Sequence, residues 1–526
     1  MTMRQAFVIT SIAVTTLLLL TSFFWNKALY AFWIVIPLML LGIYDMFQRQ
    51  HTLLRLYPVL AHFRYIFESI RPEIQQYFVE SDINGTPVNR EFRTLVYQRA
   101  KGVRDTRPFG TLFDVYQEGY EWINHSLNPK PLPETLQVLF GGSDCSQPYA
   151  ASPLNISAMS YGALSKNAIM ALNFGAKQGG FAHNTGEGGV SPYHLDAGGD
   201  LIWQIGTGYF GCRNKDGDFD ADLFQQTACK PSVKMIEIKL SQGAKPGHGG
   251  ILPAIKLTQE IADIRHVPMG HDVISPPAHT AFSTPIGLLK FVRQLRQLSD
   301  GKPVGFKLCI GNRSEFLGIC KAILETGITP DFITVDGGEG GTGAAPIELT
   351  NSVGMPLRDA LIFVHSALRG IGRREEIRII ASGKAYSAFH VLRLIALGAD
   401  SVNVARAMMF ALGCIQSRHC NADTCPTGVA TQNPARYKSL NVELKAKRVA
   451  RYHHATVENL KELLAACGLE RLDQLKPWHI NRRVGGTQIK NYDELYPCID
   501  KACLLDEKHC PPAWKRDWER ASASCW

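Results

Sequence analysis

No stretch of this sequence accumulates charge of one sign to any depth. Among 526 residues, 56 lysines and arginines face 47 aspartates and glutamates, a net +9 spread along the chain. The densest basic run, Lys445, Lys447, Arg448 and Arg451, has helical spacing and no aromatics between its members. It reads as a solvated helix face, and nucleic acid is not an expected partner. Several signatures of hydrolases and nucleotide-driven enzymes are also missing: a G-x-S-x-G elbow, a Walker loop, HExxH, and paired carboxylates in a glycosidase context.

Disulfide logic is absent too. Thirteen cysteines is an odd number, and a chain this long and apolar does not need staples to build a core. A reducing compartment is expected. Three of the cysteines stand together in GCIQSRHCNADTCPTGVATQ, with Cys414, Cys420 and Cys425 spaced C-x5-C-x4-C. Three soft ligands within twelve residues, closed by Cys-Pro, suit an iron–sulfur cluster. A fourth nearby cysteine, which structural zinc would want, is lacking; His419 could supply a Cys3His site instead. A second group, Cys498, Cys503 and Cys510, lies in the tail, where a loosely packed segment is expected and a second metal site is the alternative.

Charge disappears altogether from two segments near the start. Residues 6–25 and 28–44 carry none, and only Asn26 and Lys27 separate them. Crossing a bilayer takes about 20 apolar residues, so the pair reads as a transmembrane hairpin, with Trp25, Tyr30, Trp33 and Tyr44 near its ends. Arg4 precedes it and Arg49, Arg55 and Arg64 follow, which predicts both ends, and the catalytic body, on the cytoplasmic side of the inner membrane. No small-residue cleavage site argues for a removable signal peptide.

Beyond a polar, helical connector the chain alternates short apolar runs with amphipathic stretches. The runs fall at 155–160, 180–185, 201–206, 235–240, 304–311, 331–338, 377–383 and 401–407; helices are predicted between them at 164–177, 253–265, 285–299, 313–326 and 386–397. Continuous apolar strands alternating with helices imply a parallel sheet buried on both faces. Eight over about 250 residues match a (β/α)8 barrel of the α/β class. The expected division is a hairpin at 1–50, a connector at 51–150, a barrel with its cysteine loop at 151–440, and a helical, cysteine-containing tail at 441–526. Ser160, Asn184, Gln204, Lys307, Asp336, Ser382 and Arg406 end the runs. In a barrel they converge on the C-terminal mouth, where active sites form.

The segment DGGEGGTGAAP at 336–346 contains G-x-G-x-x-G, but Pro346 blocks the helix a Rossmann turn would open. Glycines at this density admit close approach of a flat or anionic ligand. The loops after strands seven and eight of a barrel commonly hold a phosphate; here they are Ser382-Gly383-Lys384 and Ala405-Arg406, the last offering a forked cation. FMN fits such a site, and Lys307 near its ring would favour the anionic reduced form. An ion pair of Lys307 with Asp336 at the rim is the structural alternative.

These residues together resemble the FMN-binding synthase domain of glutamate synthase. The motifs, in order, are ISAMSYGALS (156–165), NTGEGG (184–189), QGAKPG (242–247), GILP (250–253), ISPP (274–277), VDGGEGGTGAAP (335–346) and the cysteine loop through Gln432. The resemblance implies that Ala158, Met159, Ser160, Gln204, Lys307, Asp336, Gly337, Gly338, Gly341, Thr342, Ser382 and Gly383 line the FMN site. It implies that Cys414, Cys420 and Cys425 hold a 3Fe–4S cluster, and that Asn184, Glu187 and Gly188 sit on the substrate side. Gln204, Lys307 and Glu187 are the catalytic candidates. The implied reaction is reductive amination of 2-oxoglutarate through 2-iminoglutarate, with electrons from an NAD(P)H-linked reductase or ferredoxin.

Three departures bear on that reaction. A membrane hairpin stands where the family has a glutaminase, so ammonia is expected from elsewhere. IWQIGTGYFG (202–211) puts Trp203 and Tyr209 where the family typically has a lysine and an arginine, cations suited to a dicarboxylate. Ala405 and Arg406 replace the family's usual phosphate end. Two other readings are an electron-transfer or redox-sensing flavoprotein, and an FMN barrel acting on a hydroxy acid or amine with His183, His248 or His279 as proton carrier.

Overall fold

The computed structural model describes all 526 residues, which divide into two compact units, Met1–Pro87 and Val88–Trp526. In the first, Thr2 and Gln5 form a capping box that starts an apolar helix at Met3–Ser22. A 3-10 turn at Asn26–Ala31 leads into a second helix, Phe32–Phe47. Both segments are long and apolar enough to cross a membrane. They pack on each other where the Phe7 ring fills the space a side chain at Gly42 would need.

The second unit is built on a closed parallel barrel. Its strands are β1 (Leu154–Ile156), β2 (His183–Asn184), β3 (Leu201–Ile205), β4 (Val233–Lys239), β5 (Val304–Cys309), β6 (Phe332–Asp336), β7 (Arg378–Ser382) and β8 (Ser401–Val404). Each predicted run overlaps one. Helices return the chain between them, among them α1 (Lys166–Gly179), α2 (Ala221–Ala228), α3 (Pro285–Leu298), α4 (Arg313–Thr326), α5 (Leu357–Gly370), α6 (Ala388–Ala396) and α7 (Arg406–Leu412). Side-chain caps on Ser165, Asp220, Thr284, Asn312 and Ser387 start five of them.

Alternation along the strands grades the barrel interior from apolar to charged. Read from base to mouth, β4 turns Met235, Glu237 and Lys239 to one face, and β6 turns Phe332, Thr334 and Asp336. At the base Met235 and Phe332 join Ile202 and Ile380, and a hairpin of Val138–Phe140 with Tyr149–Ala151 plugs the opening with Val138, Phe140 and Ala151. The dry end is therefore sealed, and the polar layers face the strand ends where the loops gather.

The tail departs from expectation. A long helix, α8 (Val442–Ala466), packs along α1, and a terminal helix, α9 (Pro512–Arg520), lies on α4. Trp514 stacks on Phe363 at 5.2 Å, Arg313 covers Trp514 and pairs with Asp517 at 3.2 Å, and Cys503 is buried. The segment is thus docked, not loose, because Trp514 and Trp518 of α9 pack against the core and supply the apolar area that the sequence pattern around the cysteines concealed. Cys498, Cys503 and Cys510 are free thiols, with Cys498 accepting from Ser366 Oγ at 3.3 Å.

Candidate active site at the barrel mouth

The centre of the mouth is a carboxylate that sequence reasoning passed over. Glu237, fully buried on β4, accepts from Asn184 Nδ2 at 2.8 Å, Gln204 Nε2 at 2.7 Å and Thr334 Oγ1 at 2.5 Å. It joins β2, β3 and β6 across the lumen. A lone acid inside the apolar run MIEIKL was the available clue, since an unpaired buried carboxylate is prohibitively costly.

Above it stands Lys307 on β5, whose Nζ lies 3.1 Å from Asp336 Oδ2. Burial opposes its charge, but Asp336 and then Glu237 outweigh that and raise its pKa above the ordinary lysine value. The rim ion pair thus forms, and it fixes a protonated amine at the mouth. Asp336 Oδ2 also accepts from Gly243 N at 3.1 Å. Gly243 runs so close to the Gly337 carbonyl that no side chain could be added there.

Glu187 ends in a second charged group. Its Oε1 receives Lys239 Nζ at 2.6 Å, and Gly206 and Gly250 leave no room for a Cβ beside its carboxylate. Burial pushes its pKa up; Lys239, then Arg265 and Lys245, more than reverse the effect. Three buried cations thus surround one carboxylate. Lys239, Lys245 and Arg265 were not singled out from the sequence, because they end a strand, sit in a loop and end the helix Gln259–Arg265, each with a partner remote in the chain. They bear on the exchanges at Trp203 and Tyr209. Trp203 stacks on Phe224 of α2 at 5.1 Å, outside the lumen. The Tyr209 hydroxyl receives Ala281 N at 3.1 Å and lies 3.0 Å from His279 Nδ1. Neither exchange strips the mouth of positive charge.

Of the histidines, His183 is fully buried and faces His194 at 5.3 Å, and His279 is tied to Tyr209 and to the Lys239 carbonyl. Only His248 lines the cleft formed with Glu187, Thr207, Lys239 and Pro276.

The residues expected to line an FMN site gather from the ends of β1, β6, β7 and β8, the last two carrying the expected phosphate loops. Ser157 and Ser382 meet at 3.2 Å between Oγ atoms. Ala158, Met159 and Ser160 follow β1, and Gly188 presses against Ser160. Gly337, Gly338, Gly341 and Thr342 follow β6, with the Arg406 guanidinium against Gly341 in the place of a side chain. Gly383 N bonds the Asn403 carbonyl at 3.3 Å, and the Asn403 Oδ1 is buried without a hydrogen-bond partner. Lys384 lies beside Arg406; burial, then that like charge, lowers its pKa. Two adjacent cations, a glycine cradle and an orphaned buried acceptor fit a phosphate-bearing planar group such as FMN. Ala405 contributes only backbone, as the N-terminal neighbour of Arg406.

The cysteine loop begins where α7 ends. Cys414 Sγ accepts from Gln416 N at 3.4 Å, and burial pushes its thiol up to about 12. For Cys425 burial also acts upward, but Thr427 and the backbone N–H groups of Ala430, Thr427 and Val429 overcome it and hold the thiol below its ordinary value. Gln416, Arg418 and Asp423 take positive φ, so the loop winds tightly. Buried Lys256, another residue not found from sequence, donates to the Cys420 and Ala430 carbonyls at 3.3 Å. No three His, Cys, Asp or Glu side chains are arranged around a single ion, and His419 turns to Thr424 Oγ1 at 3.2 Å; the Cys3His zinc arrangement is not formed. A multinuclear cluster spans more widely separated thiolates than one ion, so the trio, with its donors, remains suited to it. The two candidate sites adjoin: a Cβ at Gly343 would stand 3.8 Å from the Cys420 Cβ.

A closed parallel barrel with a charged, glycine-lined mouth defines an α/β-barrel protein whose active site would lie at the strand ends. The family model described as the conserved region in glutamate synthase matches residues 141–470. The glutamate synthase large subunit-like protein YerD of Bacillus subtilis (strain 168) is 37% identical over 88% of this chain and 96% of its own length. The archaeal glutamate synthase [NADPH] of Methanocaldococcus jannaschii is 37% identical over 62% of this chain and 61% of its own. This chain belongs to the glutamate synthase family. Among solved structures, a mutant flavocytochrome b2 with benzoylformate reaches a TM-score of 0.44 at 12% identity, covering 85% of this chain and 93% of that one. So distant a likeness lends the hydroxy-acid reading no support.

Proposed function

We propose that the protein is a membrane-anchored FMN and iron–sulfur oxidoreductase that reductively aminates 2-oxoglutarate or a related dicarboxylate. The observation that carries the reading is the meeting of the cysteine loop with the glycine-rich loop after β6, at Cys420 and Gly343. When bound, FMN would supply hydride to the acceptor and the 3Fe–4S cluster single electrons. Arg406, Lys384, Ser157, Ser382 and Asn403 would hold the flavin phosphate and its neighbours. Cys414, Cys420 and Cys425 would ligate the cluster. Lys307 Nζ, kept protonated by Asp336 and Glu237, would place a fixed positive charge beside the ring.

Substrate recognition would fall to the other charged group. Lys239, Lys245 and Arg265 exceed Glu187 by two charges, a surplus that a dicarboxylate would balance. Asn184 and Gln204, aligned by Glu237, would orient the acceptor, and Glu187 would hold the Lys239 ammonium in position. A polar, inward-facing mouth of this kind favours turnover over electron transfer alone. The apolar hairpin would place the protein in the inner membrane with the barrel on the cytoplasmic side. An NAD(P)H-linked reductase or ferredoxin would deliver electrons, and ammonia would arrive free or from a partner.

Anaerobic titration of the purified protein with NADPH, NADH and reduced ferredoxin tests the reading. Flavin bleaching followed by glutamate formation, only with 2-oxoglutarate and ammonium, is expected; a protein without flavin absorbance rejects it. Within this test Arg406→Ala is expected to weaken FMN binding about 10–100-fold, the loss of a charge-assisted phosphate contact of roughly 1.5–3 kcal/mol.

A pH effect follows from Lys245. Burial, then Lys239, pushes its pKa down to about 8 against the pull of Glu187. Above that pH the mouth loses a cation, and KM for an anionic acceptor is expected to rise by up to about tenfold per pH unit with kcat less affected. Stability moves the other way. Between about 8 and the ordinary lysine value of 10.5 the unfolded chain holds the extra proton, so raising the pH stabilises the fold. Unfolding therefore cannot mimic the effect, and Lys245→Arg should keep KM low at higher pH.

A further inference from the structure

The segment after the hairpin reads in sequence as a polar connector, yet it presents an uncovered apolar stripe. The helix Ala61–Ile74 carries Phe63, Ile66, Phe67, Ile70 and Ile74 at i, i+3, i+4, i+7 and i+11. Four of these are 41–60% exposed and the fifth 39%. Tyr77, Phe78 and Val79, in the following π-helical turn, are exposed as well. Five large apolar side chains in one line, open to water, mark an interaction surface.

The structure fixes what lies beside that surface. Asp45, near the end of the second apolar helix, is fully buried; its Oδ2 accepts from Val59 N at 2.9 Å, and both its oxygens lie 3.0 Å from His62 Nε2. This clamp ties the first turn of the exposed helix to the last turn of the hairpin. A short helix, Thr52–Leu56, buries Leu54 between them. Helical spacing puts Arg64 and Arg71, one heptad apart, along one border of the stripe, and Glu68 pairs with Arg64 away from it at 2.9 Å.

We propose that Ala61–Ile74 lies in the plane of the bilayer surface, its Phe63–Ile74 stripe in the acyl boundary and Arg64 and Arg71 at anionic headgroups. A clamped continuation of a spanning hairpin begins at the water–lipid border, and an amphipathic helix there buries its apolar face in the interface. Long arginine side chains reach back to lipid phosphates from such a position. The inference rests on the hairpin spanning the membrane.

The test uses the full chain in vesicles of phosphatidylethanolamine and phosphatidylglycerol, with a benzophenone amino acid placed singly at Leu17, Phe67, Ile70 or Glu68. Lipid adducts are expected from Leu17, Phe67 and Ile70, with about tenfold less from Glu68. Adducts from Leu17 alone overturn the in-plane helix and leave the hairpin standing. None from Leu17 removes both. Equal yields at Phe67 and Glu68 also overturn the proposal, because they show a segment without a lipid-facing side.

Discussion

Glu237→Ala should lower the unfolding free energy by about 3–5 kcal/mol, the cost of stripping the partner from buried charged and polar groups. The three donors on Asn184, Gln204 and Thr334 would lose their acceptor at once. Lys307 would lose one of the three carboxylates, Asp336, Glu237 and Glu187, that outweigh its burial. Chemical denaturation of the detergent-solubilised protein measures the loss as a shift in midpoint at constant slope. Glu237→Gln separates stability from function. Its amide keeps one acceptor oxygen but turns a donor toward existing donors and removes the negative charge. It should fold, lose less stability than the alanine variant, and show a lowered Lys307 pKa. A midpoint shift that, multiplied by the slope, comes to less than about 1 kcal/mol for Glu237→Ala would mean that the hub is dispensable.

That hub also marks the boundary of what the sequence made legible. The eight strands were readable because each is buried on both faces and writes itself as an apolar run. Their order followed from strand–helix alternation, and the strand-end residues fell at one mouth because parallel strands all end on the same side. Motif order identified the glycine-rich loop and the cysteine trio. What stayed hidden was pairing. Glu237 lies 33 residues from Gln204 and 97 from Thr334, and Lys256 meets Cys420 across 164. Such separations carry no local periodicity, so charged side chains in the middle of strands and loops cannot be assigned partners. Facing was a further obstacle. Trp203 and Gln204 are adjacent, yet only the second enters the lumen, and a two-residue period across a bulge at Leu201/Ile202 is too short to settle which. The Lys307–Asp336 pair shows the converse: both rim residues were named, and the pair forms without displacing their proposed role, since an ion pair is what keeps that lysine charged.

Cys425→Ser should abolish iron binding while leaving the barrel folded. Among the trio, Cys425 is the thiol whose surroundings already favour the thiolate, through Thr427 and three backbone N–H groups. Cys414 is instead held protonated by burial until a metal displaces the proton. Serine preserves the size and the hydrogen-bonding partners but deprotonates far less readily than a thiol, and soft iron–sulfide cores bind thiolate. Iron and acid-labile sulfide per protein should therefore fall to background, with flavin content retained because Arg406 and Lys384 are untouched. Flavin reduction by a one-electron donor such as reduced ferredoxin should slow by at least about tenfold, whereas dithionite, which reaches an exposed flavin directly, should still bleach it. Cys510→Ser provides the control: that thiol is held in the docked tail, and its loss should leave iron unchanged. If Cys425→Ser kept its iron and Cys510→Ser lost it, the metal would belong to the tail. The meeting of Cys420 with Gly343 would then be packing alone, and the electron route at the barrel mouth would fall with it.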